Sequence, residues 1–398
     1  MTQHVVVLHR WRDRYADYAR YLDHDRYDVT YVTTDVGIDA VPPTAREVVV
    51  VPETDDLPAV RAEVRGLAAR FGAPVGIVAL KEDDLLVAAQ LRAEWGCPGP
   101  TVAETNLFRD KLVMSQAVAE AGVEVPAFAA VSEPADVHAF AASHGWPVVL
   151  KPRASSSSEG VVVVAEPADL PAEVGGMLVQ AFSSGDVHHV DGVFDGREIT
   201  AVRVSRYLRT CLEFRTGTPL GSVEVEDHCG IGKFAQRVLG ALTTKPVVFH
   251  LEVFVDGDEL RFLEVGARAG GAEIPFLWRE VHGYDLNEAA FRIALGESPA
   301  AGPPLGEEVG GWLIVPAPAE RPCRIHLATP MLGTVPGLYA EVVLREGEIL
   351  PAADAYYEHV GGRFRFRGRD SEEVGAAITA VARDFRIRGA TLAPDMAS

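Results

Sequence analysis

The stretch FHLEVFVDGDELRFLEVGARAGG, residues 249–271, decides the reading of this chain. Two runs alternate in a strand-like way, 249–255 and 260–265, and the link Asp256-Gly257-Asp258-Glu259 is turn chemistry. The segment therefore reads as a β-hairpin. Folding it back brings Glu252 and Glu264 nearly opposite each other. Side chains alternate faces along a strand, so both share a face, with His250 nearby. Two carboxylates at cross-strand distance repel. A divalent cation between them turns that cost into a ligand pair, and hard Mg²⁺ prefers such oxygen ligands. The plainer reading is a solvated strand face with two ordinary glutamates. The exit through Gly266, Arg268, Gly270 and Gly271 favours the first, because backbone and one cation could there approach an anion.

A second signal lies at residues 146–164, WPVVLKPRASSSSEGVVVV. Strand-like runs at 148–150 and 161–164 flank Lys151-Pro152 and a small polar loop with Ser155, Ser156, Ser157 and Ser158, ending in Glu159-Gly160. Such a loop offers backbone N–H groups and hydroxyls to phosphate oxygens, with a lysine at its base. It is not a Walker loop, since a strand and not a helix follows. A flexible hairpin tip is the alternative.

Working outward, residues 1–100 alternate strand runs (5–8, 27–33, 47–51, 75–80) with helical stretches at 57–70 and 83–95, as for strands buried in a parallel sheet. No GxGxxG follows the first strand, so a dinucleotide fingerprint is absent. The Lys81-Glu82-Asp83-Asp84 turn sits at a strand's carboxyl end, where open α/β sheets place ligands. Acidic capping of the next helix explains it equally simply. Residues 101–122 read as one helix, capped by Thr105 or Asn106 and ended by Gly122, with Lys111 one turn in. Periodicity alone makes Lys111 a surface lysine. Residues 177–194 read as strand, link, strand. His188 and His189 there are taken as polar strand residues, for want of a third ligand at metal spacing. A strand over 197–207 carries Arg203. Residues 231–241 and 273–295 read as helical, the latter with a turn at Gly283-Tyr284-Asp285, and 297–308 as a Pro/Gly-rich linker. A tail follows, with strands at 311–316, 339–344 and 363–367, a helix over 371–384 opened by Ser371, and a frayed end from residue 390.

Composition sets the class. The chain has 398 residues, 48% hydrophobic and 24% charged, more than one compact core usually holds. A net charge of -20 argues against nucleic-acid binding. The scattered Cys97, Cys211, Cys229 and Cys323 give neither a zinc site nor a disulfide framework. No run is long enough to span a bilayer. The opening, a strand run followed by charged residues 10–14, is not a signal-peptide pattern, so a cytoplasmic setting is expected.

Taken in order, Asp110-Lys111, WPVVLKPRASSSSEGV, LVQAF and FHLEVF…FLEVGARAGG resemble the ATP-grasp superfamily of carboxylate–amine ligases over residues 101–300. The tail is similar to the C-terminal extension of its amino-acid and dipeptide ligases. The resemblance implies a mixed α/β and α+β fold. A pre-ATP-grasp α/β domain (1–100) is followed by a small lid subdomain (101–176), a large subdomain with the metal site (177–308) and a C-terminal extension (309–398). It implies ATP and one or two Mg²⁺ ions as cofactors. Lys111 and Lys151 would bind phosphates under a closing Ser155–Gly160 loop. Gln180, Ala181 and Phe182 would form the hinge that meets adenine, and Asp186 is a ribose candidate. Glu252 and Glu264 would hold Mg²⁺, and Arg268 would stabilise the transferring phosphoryl. Arg268, Arg203 and His250 are candidates toward substrate, with His250, water or a phosphate as the base.

One departure is Gly266, where the family often has an asparagine. The implied activity joins a small carboxylate to an amine through an acyl phosphate. The implied partners are those small molecules, with no membrane and no nucleic acid, and with a homodimer as the superfamily-level expectation. The alternatives are an ATP-grasp enzyme with a thiol or carboxyphosphate acceptor, or a nucleotide-binding regulatory protein without turnover.

Overall fold

The computed structural model describes residues 2–12, 15–299, 306–352 and 360–392. Four sheets organise them. The first is parallel, in the order Glu47–Val50, Tyr27–Thr33, Gln3–His9, Pro74–Ala79. Its runs are continuous and apolar because both faces are covered: Val6, Leu8 and Ile77 pack under the helix Leu57–Phe71, and Val5, Val7 and Val78 pack toward Phe291. The helix Leu57–Phe71 starts where the Asp56 carboxylate accepts from Ala59 N, with Pro58 in its first turn.

The site is built on an eight-stranded antiparallel sheet. Its order is Glu259–Gly266, Val247–Asp256, Asp186–Phe194, Ile199–Tyr207, Leu220–Glu224, Val309–Pro316, Val360–Gly368, Leu338–Val343. One face packs on the helix Ile231–Leu242, whose Phe234, Val238 and Leu242 join Phe249, Leu251 and Phe262 in a dry core. The opposite face meets the helices Ile274–Glu280 and Leu286–Ala294 around Trp278 and Trp312. It also carries the polar residues described below. Alternation thus splits the strand Val247–Asp256 into an apolar side and a chemical side.

A small antiparallel sheet covers that chemical side, in the order Phe128–Val131, Met177–Ala181, Val148–Pro152, Val162–Val164. The strand Met177–Ala181, expected to open the large subdomain, pairs inside this small sheet, because its ladder partners are Phe128–Val131 and Val148–Pro152. The tail, expected as a unit of its own, contributes three strands to the eight-stranded sheet through ladders from Leu220–Glu224 outward. A three-stranded sheet (Ile349–Leu350, Cys323–Ala328, Ile387–Thr391) closes the fold, so residues 390 and 391 are paired, not frayed. Residues 393–398 lie outside the described residues, as does part of the 297–308 linker.

Two helix expectations change. Residues 101–122 form two helices, Val102–Leu107 and Lys111–Glu120. Thr101 and Glu104 make a capping box for the first, and the Asp110 carboxylate caps the second through Leu112 N and Val113 N. At the end of the chain Asp370, not Ser371, caps the helix Ser371–Asp384, while Ser371 Oγ donates to the Glu224 carbonyl. Among the described residues no helix is long and apolar enough to cross a membrane.

Candidate active site

The hairpin turns at Gly257, whose φ of 59° suits a glycine at the first position of a two-residue loop. In its ladder Glu252 stands directly opposite Glu264, with a register shift immediately after Glu252. Their side chains are 13% and 36% exposed, so Glu252 is the deep ligand candidate and Glu264 the open one. Lys111 Nζ lies 3.4 Å from Glu264 Oε2 and donates to the Ser155 carbonyl at 2.7 Å. The supposed surface lysine is therefore buried. It is held there because it opens the second helix, with its backbone N–H donated to the Arg153 carbonyl.

Lys151 is buried and donates to Gln180 Oε1 at 2.6 Å. Burial pushes its ammonium down to about 8, against the upward pull of the Glu264 charge. Arg268 donates from Nε to Glu82 Oε2 at 2.6 Å, and Arg109 donates to the other Glu82 oxygen at 2.6 Å. Burial works against the Arg268 charge, and Glu82 overcomes it. Glu82, Arg109, Lys111, His250, Glu264, Gly266 and Arg268 line one small cavity.

The serine loop meets this cavity at Lys111, whose Nζ donates to the Ser155 carbonyl. Arg215 Nη1 donates to the Ser157 carbonyl at 3.0 Å, and Ser157, Ser158 and Gly160 have φ of 53°, 56° and 68°. The Ser155 hydroxyl is buried without a partner among the described residues. An orphaned hydroxyl on the residue whose carbonyl takes Lys111 fits a phosphate oxygen. For a metal the donor set is two facing carboxylates, which suits a hard cation that keeps several waters. Gly266 adds no ligand atom. A Cβ there would find Arg268 at 3.5–3.8 Å, ordinary contact, so space is not the reason for the glycine.

His250 sits deeper. Its Nδ1 donates to Asp191 Oδ1 at 2.8 Å and its Nε2 lies 3.7 Å from Glu252 Oε1, which also accepts from the Tyr207 hydroxyl at 3.0 Å. Burial alone would depress the imidazole, but Asp191 pushes it up to about 10, so the ring is charged at neutral pH. Glu252 is lowered: burial opposes its charge, and the neighbouring His250 ring together with the Tyr207 hydroxyl outweighs burial.

Of the remaining candidates, Ala181 already gives its N–H to the Ala127 carbonyl, and Phe182 is exposed. Asp186 is exposed, 3.7 Å from Arg206. Arg203 stands opposite Asp191 in the ladder and donates to His282 Nδ1 (3.3 Å) and the Gly306 carbonyl. His189 bonds Asp191 and Ser222, as a structural polar residue. Sequence reasoning missed Asp191, Tyr207 and Arg109 and left Glu82 ambiguous. The two-residue spacing of His189 and Asp191, which puts both on one face, was the available signal.

Residues 108–272 match the family of the ATP-grasp domain. The L-arginine-specific L-amino acid ligase of Bacillus subtilis is 24% identical over 240 residues, 56% of this chain and 58% of that protein. The chain spans between 45% and 61% of the length of four curated relatives it matches. Among solved structures, an L-amino acid ligase from Bacillus licheniformis superposes with a TM-score of 0.77 at 18% identity, covering 97% of this chain and 98% of that one. A phosphoribosylglycinamide synthetase from Anaerococcus prevotii gives 0.68 at 12% identity, over 98% and 100%. Residues 108–272 match the ATP-grasp domain family, and over 97% of its length the chain has the fold of the L-amino acid ligase from Bacillus licheniformis.

Proposed function

We propose that this protein is an ATP-dependent carboxylate–amine ligase that joins small amino-acid-like substrates and releases ADP and phosphate. The observation that carries it is the Glu252–Glu264 pair with Lys111 Nζ 3.4 Å from Glu264 and bonded to the serine loop. A carboxylate is a poor electrophile at neutral pH, and transfer of the γ-phosphoryl group makes it an acyl phosphate that an amine can attack. Positioning and electrostatics suffice for that transfer. Glu252 and Glu264 would hold magnesium, which supplies charge neutralisation at the phosphate oxygens. Lys151 and Lys111 take phosphate oxygens from the lid side and the hairpin side. Arg268, fixed by Glu82, stabilises the charge that develops during transfer. The serine loop excludes water, which would hydrolyse the acyl phosphate. The amine's proton leaves to phosphate, to solvent or to a side chain of the site, and His250 is engaged at Nδ1 by Asp191 Oδ1 at 2.8 Å. The 24%-identical L-amino acid ligase supports amino acids as the substrate class.

The test is ADP and phosphate release with ATP and Mg²⁺ against amino acids singly and in pairs, with mass spectrometry on the same samples. A product mass equal to two substrates less water supports the proposal. Nucleotide binding without turnover across a full amino-acid and amine panel would favour a regulatory protein.

A further inference from the structure

We propose that Asp191 is a positioning residue of the metal and phosphate site, acting on Glu252 through His250 and on the Arg268 loop through Gly270. The inference rests on the ligase reading in taking Glu252 and Arg268 as site residues.

Asp191 lies within the strand Asp186–Phe194, directly opposite His250, and is 1% exposed. A carboxylate so buried must be matched by donors. Both oxygens are: Oδ2 accepts from His189 Nδ1 at 2.6 Å and Oδ1 from His250 Nδ1 at 2.8 Å. His189 is anchored at Nε2 by Ser222 Oγ at 2.7 Å. A line of bonds thus runs from the strand Leu220–Glu224 to the strand Val247–Asp256 and ends where His250 Nε2 faces Glu252 Oε1. Turning the His250 ring would break the Asp191 bond, so the ring presents a fixed edge to Glu252.

The same pair supports the loop after the hairpin. A Cβ on Gly270 would stand 2.5 Å from Asp191 Oδ1 and 2.8 Å from His250 Nδ1. The backbone two residues past Arg268 therefore rests on the Asp191–His250 bond, and only glycine lets it come so close. Asp191 reaches a metal-ligand candidate and the path of the arginine loop from one buried point, without itself facing the cavity. Partners standing behind metal ligands commonly hold about 10–100-fold in metal affinity.

The test is Asp191→Asn. Asparagine keeps the shape but places an N–H₂ where one histidine needs an acceptor. Binding of a non-hydrolysable ATP analogue is titrated against Mg²⁺. The Mg²⁺ concentration for half-maximal binding rises about tenfold or more. Analogue affinity without Mg²⁺ changes less than about twofold, and the Mg²⁺ shift collapses in a Glu252→Gln background because the two changes share one path. Ser371→Ala, which removes a hydrogen bond to the Glu224 carbonyl on the same strand but lies outside the line, serves as the control for general loosening and leaves the Mg²⁺ requirement in place. Gly270→Ala presses on the same pair from the loop side and replaces Asp191→Asn if that variant does not fold; it too raises the Mg²⁺ requirement. An unshifted Mg²⁺ requirement, an equal loss with and without Mg²⁺, a shift undiminished by Glu252→Gln, or the same shift in Ser371→Ala overturns the inference. If the unaltered chain shows no Mg²⁺-dependent analogue binding, the ligase reading itself fails and the inference falls with it.

Discussion

Arg268 and Glu82 are 186 residues apart and joined by a 2.6 Å hydrogen bond from the Arg268 Nε. The other oxygen of that carboxylate takes Arg109. One glutamate at the carboxyl end of the parallel sheet therefore holds a guanidinium from the hairpin exit and another from the link between the two helices. Glu82→Ala leaves Arg268 without its hydrogen-bonded carboxylate and Arg109 with only Asp83 at 3.4 Å, and is expected to cost about 2–3 kcal/mol, below the figure for fully buried pairs because these side chains keep some exposure. In a denaturant-unfolding cycle, Glu82→Ala and Arg268→Ala should couple by about 1 kcal/mol or more. Additive losses would mean that the pair is incidental.

Lys151 gives a pH signature. Its folded value of about 8 lies below the ordinary ~10.4 of a lysine, so between these limits the unfolded chain holds a proton that the ligand-free fold has released. Its contribution makes ligand-free stability rise with pH across that window. Phosphate beside the ammonium reverses the shift, so ATP-analogue binding takes up a proton above pH 8. Affinity should then fall toward about tenfold per pH unit above 8. Calorimetry in buffers of different ionisation enthalpy measures the uptake, and Lys151→Arg, which does not titrate there, should abolish it.

Glu264 is the open half of the carboxylate pair, 36% exposed. Glu264→Gln is expected to shift unfolding free energy by less than about 1 kcal/mol. Turnover in the phosphate-release assay should fall by at least about tenfold or demand far more Mg²⁺. Wild-type Mg²⁺ dependence in this variant would move the metal away from the hairpin.

Gly266 is not held by space or by φ: its Cβ position makes only ordinary contacts with Arg268, and it is not among the left-handed glycines. Gly266→Asn should fold within about 0.5 kcal/mol of the parent. It adds an amide oxygen on the Glu264 face, so the Mg²⁺ concentration for half-maximal analogue binding should drop. A rise would show that the asparagine blocks the cavity.

What the sequence made legible was local. The hairpin, its turn and the Glu252–Glu264 face follow from a period of two, and the ladder has that register. What it hid depends on partners far along the chain. The break at residues 108–110 interrupts an apolar stripe that periodicity carries straight through. It is fixed by Asp110, which caps the new helix while binding Arg153, 43 residues on. Met177–Ala181 reads as a strand, but nothing within it says which sheet will pair with it. Glu82 and Asp191 are single carboxylates whose meaning comes from Arg268 and His250, and those pairings exist only after the sheets have formed.

The eight-stranded sheet bears on how this protein can be recombined with others. Its ladder runs without a gap from the hairpin at Glu259–Gly266 to the tail strand Leu338–Val343. A graft that exchanged everything after residue 308 would strip Leu220–Glu224 of its neighbour and leave a raw edge of unpaired N–H and C=O groups. The parallel sheet, by contrast, finishes all its pairing by Ala79 and shares no ladder with later strands. Chimeras that cross over between Trp95 and Thr101 sever no strand pair, so the N-terminal unit is exchangeable as a cassette where the donor matches the Phe291 face that Val5, Val7 and Val78 pack toward and supplies a carboxylate where Glu82 stands.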